Sequence, residues 1–133
     1  MPSFKILLAD DMPMNLALAI KLLTRRGHQV TSVENGKQAV EAFKNERFDV
    51  VLMDMQMPEM DGLEAARAIR KYEAEQSQKG RVPIIAMTAN DDVSDKRECE
   101  QAGMDGFITK PLEIKTVDPT IRAIVEKTKS PPS

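Results

Sequence analysis

The chain has 133 residues, 41% hydrophobic and 30% charged, and its 19 basic and 21 acidic side chains give a net charge of -2. This length is typical of one domain with a substantial core, and the mixed charges lack the basic arm or stripe that marks direct nucleic-acid binding. The single cysteine, Cys99, excludes an internal disulfide, and the chain shows neither an apolar run near the ~20 residues of a membrane span nor a secretory signal, so we expect a cytoplasmic protein without membrane contact.

Five short apolar runs predict five β-strands. In chain order they are FKILLAD, HQVTSV, FDVVLMD, VPIIAMT and DGFITK. The first, third and fourth are nearly continuous, which is typical of strands buried on both faces of a parallel sheet. The second and fifth are shorter and alternate more, as expected of edge strands.

Helical patterns separate these runs. The first, NLALAIKLLTRRG, ends at Gly27, a residue type typical of helix C-termini. Its core-facing residues are Leu16, Ala19, Ile20 and Leu23. The segments NGKQAVEAFKNE, DGLEAARAIRKYEAEQ and the more polar DDVSDKRECEQAG follow, and Asp118 with Pro119 predicts the start of a last helix.

Strands that alternate with helices imply right-handed crossovers and a parallel sheet covered on both faces. Five such units predict an α/β fold of the flavodoxin-like, doubly wound (βα)5 class, with a five-stranded parallel sheet of order 2-1-3-4-5. We expect the domain to span residues 1–128 and the polar, proline-rich residues 129–133 to form a tail or linker.

The last residues of the predicted strands carry most of the chemistry. Strands one and three end in Asp10-Asp11 and Asp54, and strands four and five end in Thr88 and Lys110. Sites in open parallel sheets form in the crevice at the carboxyl ends of the strands. Because these four strands are neighbours in the predicted order, we expect their terminal side chains to converge there.

Aspartates after strands also have ordinary structural roles, above all as helix N-caps. Asp11 is a candidate cap for the helix that begins near Pro13, and we assign Asp61 to the cap of the third helix. Asp49, at the start of a strand, is expected to be solvated. The single histidine, His28, is expected at a surface turn away from the crevice.

Three carboxylates in one crevice predict a divalent cation, because burying them without one costs on the order of several kcal/mol. All-oxygen ligands favour Mg²⁺ over zinc, and Mg²⁺ on carboxylates usually attends a phosphate. Lys110 supplies a positive charge for phosphoryl oxygens, Thr88 a hydroxyl, and the main-chain amides of Met55 and Ala89 further donors.

No nucleotide-binding GxxxxGK[ST] motif occurs, and no Ser-His-Asp or Cys-His set is present. The phosphoryl group is therefore expected to arrive from outside. A carboxylate can receive it as an acyl phosphate.

Four motifs in this order, ILLADD, VLMDMQMPEMDG, IIAMTAN and FITKP, resemble the receiver domains of two-component response regulators. The resemblance runs from about Lys5 to Glu126. The segments DMQMPEMDGLEAARAIR, TAN and DDMPMN are most similar to receivers of hybrid histidine kinases. The resemblance implies a phosphorylatable signalling domain that is not itself an enzyme, either as a stand-alone regulator or within a hybrid kinase.

The resemblance assigns a role to each matching residue at the end of strands one and three. Asp54 is the phosphoacceptor. Asp10 and Asp11 hold Mg²⁺ together with Asp54 and the main-chain carbonyl of Gln56.

The ends of strands four and five complete the implied set. Thr88 and Lys110 bind the phosphoryl group, and Lys110-Pro111 is expected to be a cis peptide that aims the lysine into the crevice. Phe107 takes the aromatic switch position, where many relatives carry tyrosine, so a switch that uses the hydroxyl is not available.

The resemblance also implies the partner and the output. A histidine kinase dimerisation domain or a histidine-phosphotransfer domain donates its phosphoryl group to Asp54, Thr88 moves toward that group, and Phe107 turns inward. The surface of helix four, strand five and helix five then changes, in a monomer or a phosphorylation-linked dimer.

The predicted fourth helix is poor in apolar residues. It has only Val93, Cys99 and Ala102. We therefore expect weak anchoring and mobility, with a merely peripheral helix as the alternative.

The first helix has a second apolar stripe opposite its core face, consisting of Met14 and Leu18 flanked by Leu22. Scattered apolar surface residues usually carry no function. Because this stripe borders the acidic crevice, our hypothesis is that it seats the donor helix.

Two other functions compete with a signalling switch. A Mg²⁺-dependent phosphohydrolase with an aspartyl nucleophile commonly needs a D-x-D motif after the first strand, and the adjacent Asp10 and Asp11 do not form one. A receiver-like adaptor that is never phosphorylated is expected to lack acidic or lysine positions, all of which are present. From the residues after Glu126 we expect no DNA-binding output domain.

Overall fold

The structure is a computed structural model that describes residues 4–46, 48–55, 60, 62–75, 82–88, 97–98, 100–109 and 119–125. Its elements are β1 (Lys5–Ala9), α1 (Pro13–Arg25), β2 (Gln29–Val33), α2 (Gly36–Asn45), β3 (Val50–Asp54), α3 (Gly62–Glu75), β4 (Ile84–Thr88) and β5 (Gly106–Thr109). Residues 97, 98, 100, 101 and 119–125 are also helical.

The five strands form one parallel sheet in the order β2-β1-β3-β4-β5, which confirms the predicted fold class. β3 is central, and all five of its residues are buried. β2 lies at one edge and has no fully buried residue, which agrees with its alternating sequence. We call the end of the sheet where all five strands begin the amino edge, and the opposite end, where they finish, the carboxyl edge.

Two hydrophobic clusters cover the two faces of the sheet. On one face α2 and α3 pack on alternate strand residues such as Leu7, Val51 and Ala86. On the other face α1 and the helical residues 119–125 pack on the intervening residues, such as Leu8 and Leu52. This alternation follows from the two-residue period of a strand and leaves the carboxyl edge open for side chains. No helix among the described residues is long and apolar enough to cross a membrane.

The ends of the first two helices follow local sequence signals. α1 starts with Pro13 at its first position, and its N-cap residue is Met12, whose side chain makes no capping hydrogen bond, so the N-cap position considered for Asp11 belongs to its neighbour. α1 is followed by Gly27 at φ +86°, a left-handed conformation that glycine adopts without strain. α2 begins after Asn35, whose side chain accepts a hydrogen bond from the amide of Gln38.

The expected surface position of His28 is wrong. The side chain is 4% exposed, its Nδ1 accepts a 3.0 Å hydrogen bond from the amide of Phe4, and its ring stacks on that of Phe4 with centroids 5.3 Å apart. The chain turns at Gly27 and enters β2 at once. The amide of Gln29, the first residue of β2, already donates to the carbonyl of Phe4 at 2.9 Å. The turn therefore brings His28 under the amino edge.

Asp49 is also less solvated than expected. It is half-buried, and its Oδ2 accepts a 2.8 Å hydrogen bond from the amide of Lys5. Its own amide donates to the carbonyl of Lys5 at 2.8 Å. The side chain thus joins the starts of β1 and β3.

Arg70 of α3 organises a polar network at the amino edge. Its Nη1 donates to Oε1 of Glu73 at 2.7 Å, one helical turn away. The other oxygen of Glu73 accepts a 2.7 Å hydrogen bond from the amide of Val82. Glu73 is 8% exposed, and the charge-assisted bonds offset the cost of burying it.

The same guanidinium reaches the start of β5. Its Nη2 donates to Oδ2 of Asp105 at 2.7 Å, and that oxygen also accepts a 2.9 Å bond from the amide of Ile84. Its Nε donates to the carbonyl of Gly103 at 2.8 Å. Gly103 has φ +92°, and a Cβ there would lie 2.8 Å from Cγ of Arg70, so the position favours glycine twice over.

Candidate metal centre at the carboxyl edge of the sheet

Three carboxylates meet where β1 and β3 end. Asp10, Asp11 and Asp54 each offer an oxygen, and these oxygens all lie within 4.8 Å of one another. The register explains the meeting, because Ala9 pairs with Met53 across β1 and β3 and the next residue of each strand is an aspartate. The predicted convergence of the acidic residues is therefore found in the structure.

The three carboxylates differ in burial. Asp10 is 2% exposed and Asp54 is 5% exposed, whereas Asp11 is exposed. Such close negative charges repel one another, and the repulsion is poorly screened where two of them are buried. A donor set of carboxylate oxygens fits a hard divalent cation such as Mg²⁺, which keeps several of its waters and needs few protein ligands.

Backbone contacts hold Asp10 in place. Its amide donates to the carbonyl of Val33 at the end of β2 at 3.2 Å. Its carboxylate oxygen Oδ1 accepts a 2.9 Å hydrogen bond from the amide of Met12. Both contacts come from the main chain, so the position of this carboxylate follows from the path of β1 into α1.

The chain after Asp54 is held by backbone contacts on two sides. The amide of Met55 donates to the carbonyl of Met87 at 3.2 Å, and its carbonyl accepts a 3.2 Å bond from the amide of Gly62. A phosphoryl role for the Met55 amide requires the bond to Met87 to open. A Cβ on Gly62 would overlap the carbonyl oxygen of Asp54, so only glycine allows this approach.

The predicted residues of strands four and five are described in part. Thr88 is the last residue of β4 and lies one position beyond Met87, the register partner of Asp54. Phe107 pairs with Ala86 across β4 and β5, is half-buried, and packs against the cluster on the α2 and α3 face. Some predictions concern residues outside the described ranges, namely Gln56, Asp61, Ala89, Val93, Cys99, Lys110, Pro111, Asp118 and 129–133.

An exposed apolar stripe borders the acidic cluster. Met14 is 82% exposed and Leu18 is 43% exposed, as the helix periodicity predicted, and Leu22 is half-buried. Met12 is 51% exposed and extends the stripe to Asp10 through the hydrogen bond described above. The sequence segment DDMPMN already indicated that Met12 belongs to the stripe, because Met12 stands between the acidic pair and the start of α1.

Gly36 is a residue near the site that the sequence motifs did not identify. This glycine follows the N-cap Asn35 and contacts Met60. The dipeptide Asn-Gly after a strand is a signal for a tight turn or a close approach of two backbones, and it was available in the sequence.

Comparison with known proteins agrees with the motifs. A family model described as the response regulator receiver domain matches residues 6–122. The chain is 48% identical over 108 residues to the sensor protein GacS of Pseudomonas syringae pv. syringae, covering 81% of this chain and 12% of that protein. It is 42% identical over 127 residues to hybrid signal transduction histidine kinase B of Dictyostelium discoideum, covering 90% of this chain and 6% of that protein. The chain thus spans a small part of the length of these curated relatives.

Two solved structures share the fold. The receiver domain of the sensor histidine kinase PA1611 from Pseudomonas aeruginosa PAO1, which has magnesium in its active-site cleft, matches with a TM-score of 0.82 and 36% identity over 93% of this chain and 98% of that one. A chain in the co-crystal structure of the Saccharomyces cerevisiae histidine phosphotransfer protein Ypd1 and the receiver domain of Ssk1 matches with a TM-score of 0.89 and 26% identity over 96% of this chain and 92% of that one. The predicted resemblance to receivers of hybrid histidine kinases is confirmed.

Proposed function

Because the chain belongs to the response regulator receiver domain family of two-component signalling, we propose that it is a switch in which Asp54 accepts a phosphoryl group from a phosphohistidine. One observation carries the proposal above the others. Asp54 ends the central strand with Asp10 and Asp11 beside it, their oxygens within 4.8 Å. A nucleophilic carboxylate next to two further acidic ligands is the arrangement that phosphoryl transfer to an aspartate requires.

The proposed step breaks the P–N bond of the phosphohistidine and forms a P–O bond to the carboxylate of Asp54. The imidazole keeps the electron pair of the broken bond and takes a proton from water. Lys110 and Thr88 would bind the phosphoryl oxygens, with the amides of Ala89 and Met55 as further donors. Asp54 is 5% exposed, so the acyl phosphate forms where water has limited access.

Asp10, Asp11 and Asp54, with the main-chain carbonyl of Gln56, are the proposed ligands of Mg²⁺. When bound, the ion supplies positive charge that offsets the negative charge of the carboxylates and of the phosphoryl oxygens. The support comes from the burial of Asp10 and Asp54, which is unfavourable for paired carboxylates without a cation.

Phosphorylation replaces the charge of one carboxylate with a group of about -1.5 to -2 charge at pH 7. We propose that Thr88 and the aromatic ring of Phe107 relay this change to the surface of helix four, strand five and helix five. Phe107 is half-buried against the cluster that also holds Ala102 and Met104. A rearrangement of its ring therefore alters packing at the residues that lead into β5.

The apolar stripe of Met12, Met14, Leu18 and Leu22 is the proposed seat for the donor. Its expected occupant is a helix of a histidine kinase dimerisation domain or of a histidine-phosphotransfer domain, with an apolar face beside the phosphohistidine. The stripe adjoins the acidic cluster through the bond between Met12 and Asp10, so a helix docked there lies next to Asp54. The receiver domain of Ssk1 is co-crystallised with such a phosphotransfer protein.

The chain is proposed to act in the cytoplasm without direct contact with nucleic acid or membrane, as a monomer or a phosphorylation-linked dimer. Its proposed domain covers residues 1–128, with residues 129–133 as a tail or linker. Both a separate regulator and a receiver within a larger kinase remain consistent with relatives of which the chain spans 12% and 6%.

Phosphorylation can be tested directly. The native chain is incubated with Mg²⁺ and acetyl phosphate or phosphoramidate, and intact mass is measured. We expect one phosphoryl adduct, no adduct with Asp54→Ala, and an unchanged adduct with Asp49→Asn, which alters a carboxylate at the amino edge. Absence of the adduct from the native chain, or its survival in Asp54→Ala, overturns the proposal.

A further inference from the structure

The start of α2 and the connection between β3 and α3 meet backbone to backbone. The amide of Gly36 donates a 3.0 Å hydrogen bond to the carbonyl of Met60. A Cβ on Gly36 would overlap that carbonyl oxygen and lie 2.9 Å from its carbon and 3.0 Å from Cγ of the same methionine. Any other residue at position 36 must therefore push Met60 away or move α2.

Further backbone contacts connect this region with Asp54, the proposed phosphoacceptor. Past Met60, the amide of Gly62 donates to the carbonyl of Met55 at 3.2 Å. Gly62 also packs against Asp54 itself, since a Cβ there would lie 3.0 Å from its carbonyl carbon. Among the described residues of this connection, Gly36 thus contacts Met60, and Gly62 contacts Met55 and Asp54.

The start of α2 is fixed by contacts of its own. The side chain of Asn35 accepts a 2.8 Å bond from the amide of Gln38. The side-chain oxygen of Gln38 accepts a 2.8 Å bond from the amide of Glu34. Because Glu34 precedes the N-cap Asn35, these two bonds fix the main chain on both sides of the N-cap, and they hold the start of α2 where Gly36 meets Met60.

The segment between β2 and α2, which contains Gly36, also contacts Asp10 of the acidic cluster. Val33, three residues before Gly36, accepts the hydrogen bond from the amide of Asp10. This one segment thus contacts Asp10 through Val33 and contacts Met60, in the connection after Asp54, through Gly36.

We propose that Gly36 is a positioning residue, whose missing side chain sets the distance between the connection after Asp54 and the carboxylates of Asp10 and Asp11. The inference rests on the proposed function, because Gly62 packs against the main chain of Asp54, which is a proposed Mg²⁺ ligand. Gly36 touches none of the reacting groups and acts through Met60. A purely structural role predicts a loss of stability alone, whereas positioning predicts a loss of Mg²⁺ affinity beyond that due to unfolding.

The experiment measures Mg²⁺ affinity by calorimetry and stability by urea unfolding for Gly36→Ala and two controls. We expect the Kd for Mg²⁺ to rise about tenfold in Gly36→Ala, as is common when a contact behind a metal ligand is lost. Gly106→Ala is the matched control, because its added Cβ meets only the end of the Ile124 side chain, at 2.5 Å, at the amino edge. Asn35→Ala weakens the start of α2 without adding an atom against Met60. Both controls should lower stability and keep the native Kd.

An unchanged Kd in Gly36→Ala, or an equal rise in Asn35→Ala and Gly106→Ala, overturns the inference. If Gly36→Ala does not fold, hydrogen exchange of the Gly36 amide in the native chain decides the matter. Saturation with Mg²⁺ should slow that exchange, since the amide donates to Met60, and no slowing counts against the inference.

Failure of the proposed function gives a different result. A native chain that binds Mg²⁺ and takes no phosphoryl group refutes the proposed function. The Kd values of the three variants still test the positioning role of Gly36 in that case. A native chain that neither binds Mg²⁺ nor becomes phosphorylated refutes both.

Discussion

Arg70 and Asp105 form a 2.7 Å ion pair although 35 residues separate them in the chain. The pair ties α3 to the residue before β5, and both side chains are less than one-fifth exposed. Arg70→Met leaves the buried carboxylate of Glu73 without its cation and the carbonyl of Gly103 without its side-chain donor. We expect the free energy of unfolding to fall by about 3 kcal/mol in urea titrations.

The matched control for Arg70→Met is Glu46→Gln, which removes the ion pair between Lys5 and Glu46. Those side chains are 36% and 43% exposed, so the expected loss is below about 1 kcal/mol. Similar losses in the two variants would show that the network at the amino edge contributes no more than an exposed pair.

Mg²⁺ is expected to stabilise the native chain, because the proposed site on the acidic cluster exists only in the folded state. At ten times its Kd the gain is about 1.4 kcal/mol. Asp10→Asn should abolish the gain, and Asp49→Asn should keep it. Thermal unfolding with Mg²⁺ and with a chelator measures both, and a gain that survives Asp10→Asn contradicts the assigned ligand.

Repulsion within the acidic cluster predicts an opposite effect of mutation when no divalent cation is present. Asp54→Asn removes one of three close negative charges and should raise the free energy of unfolding by about 1 kcal/mol in chelator. The comparison is with the native chain in the same buffer. A loss of stability would mean that hydrogen bonds of the Asp54 carboxylate outweigh its repulsion with Asp10 and Asp11.

Leu18→Glu is expected to slow phosphotransfer from a protein donor by about tenfold, as for a central apolar contact of an interface. Phosphorylation by acetyl phosphate should not change, because Leu18 lies outside the acidic cluster. Ala74→Glu adds the same charge at an exposed position near the end of α3, on the amino-edge side of the fold and away from the stripe. Equal slowing with the protein donor and acetyl phosphate, or equal slowing in both variants, would show that the stripe is not the docking surface of the donor.

His28→Ala is expected to lower the free energy of unfolding by about 3 kcal/mol, since it leaves the amide of Phe4 without its 3.0 Å acceptor and creates a cavity. His28→Phe keeps the ring and loses the acceptor, so its loss should be smaller. Both variants should bind Mg²⁺ with the native Kd, because His28 lies at the amino edge. A changed Kd would show that the two edges are coupled.

The fold and the acidic cluster were predictable from the sequence because each rests on a short-range rule. Apolar runs such as FDVVLMD indicate buried strands, and alternation with helices fixes parallel connections. Parallel strands deliver their last residues to one edge, which brings Asp10 and Asp54 together although they are 44 positions apart in the chain. The exposed Met14 and Leu18 followed from the helix period alone.

Features that depend on contacts between distant backbones were not predictable in this way. The buried position of His28 depends on how tightly the chain turns at Gly27 beneath Phe4, and a polar residue beside a glycine reads equally as a surface turn. Asp49 carries no local sign of its bond to Lys5. The Asn-Gly dipeptide indicates a close backbone approach at Gly36 but not its partner Met60, because that partner depends on the separation of two distant main chains.

The unequal burial of the three carboxylates has a consequence for how a phosphodonor approaches the cluster. Asp11 is exposed while Asp10 and Asp54 are buried, so the field of the cluster reaches solvent on the side of Asp11. A small anionic donor such as acetyl phosphate depends on a bound divalent cation to offset that field and gains no apolar contact. A protein donor that buries Met12 and Met14 gains apolar contact there, which favours its approach. At equal concentrations we therefore expect the protein donor to phosphorylate the chain faster than acetyl phosphate does.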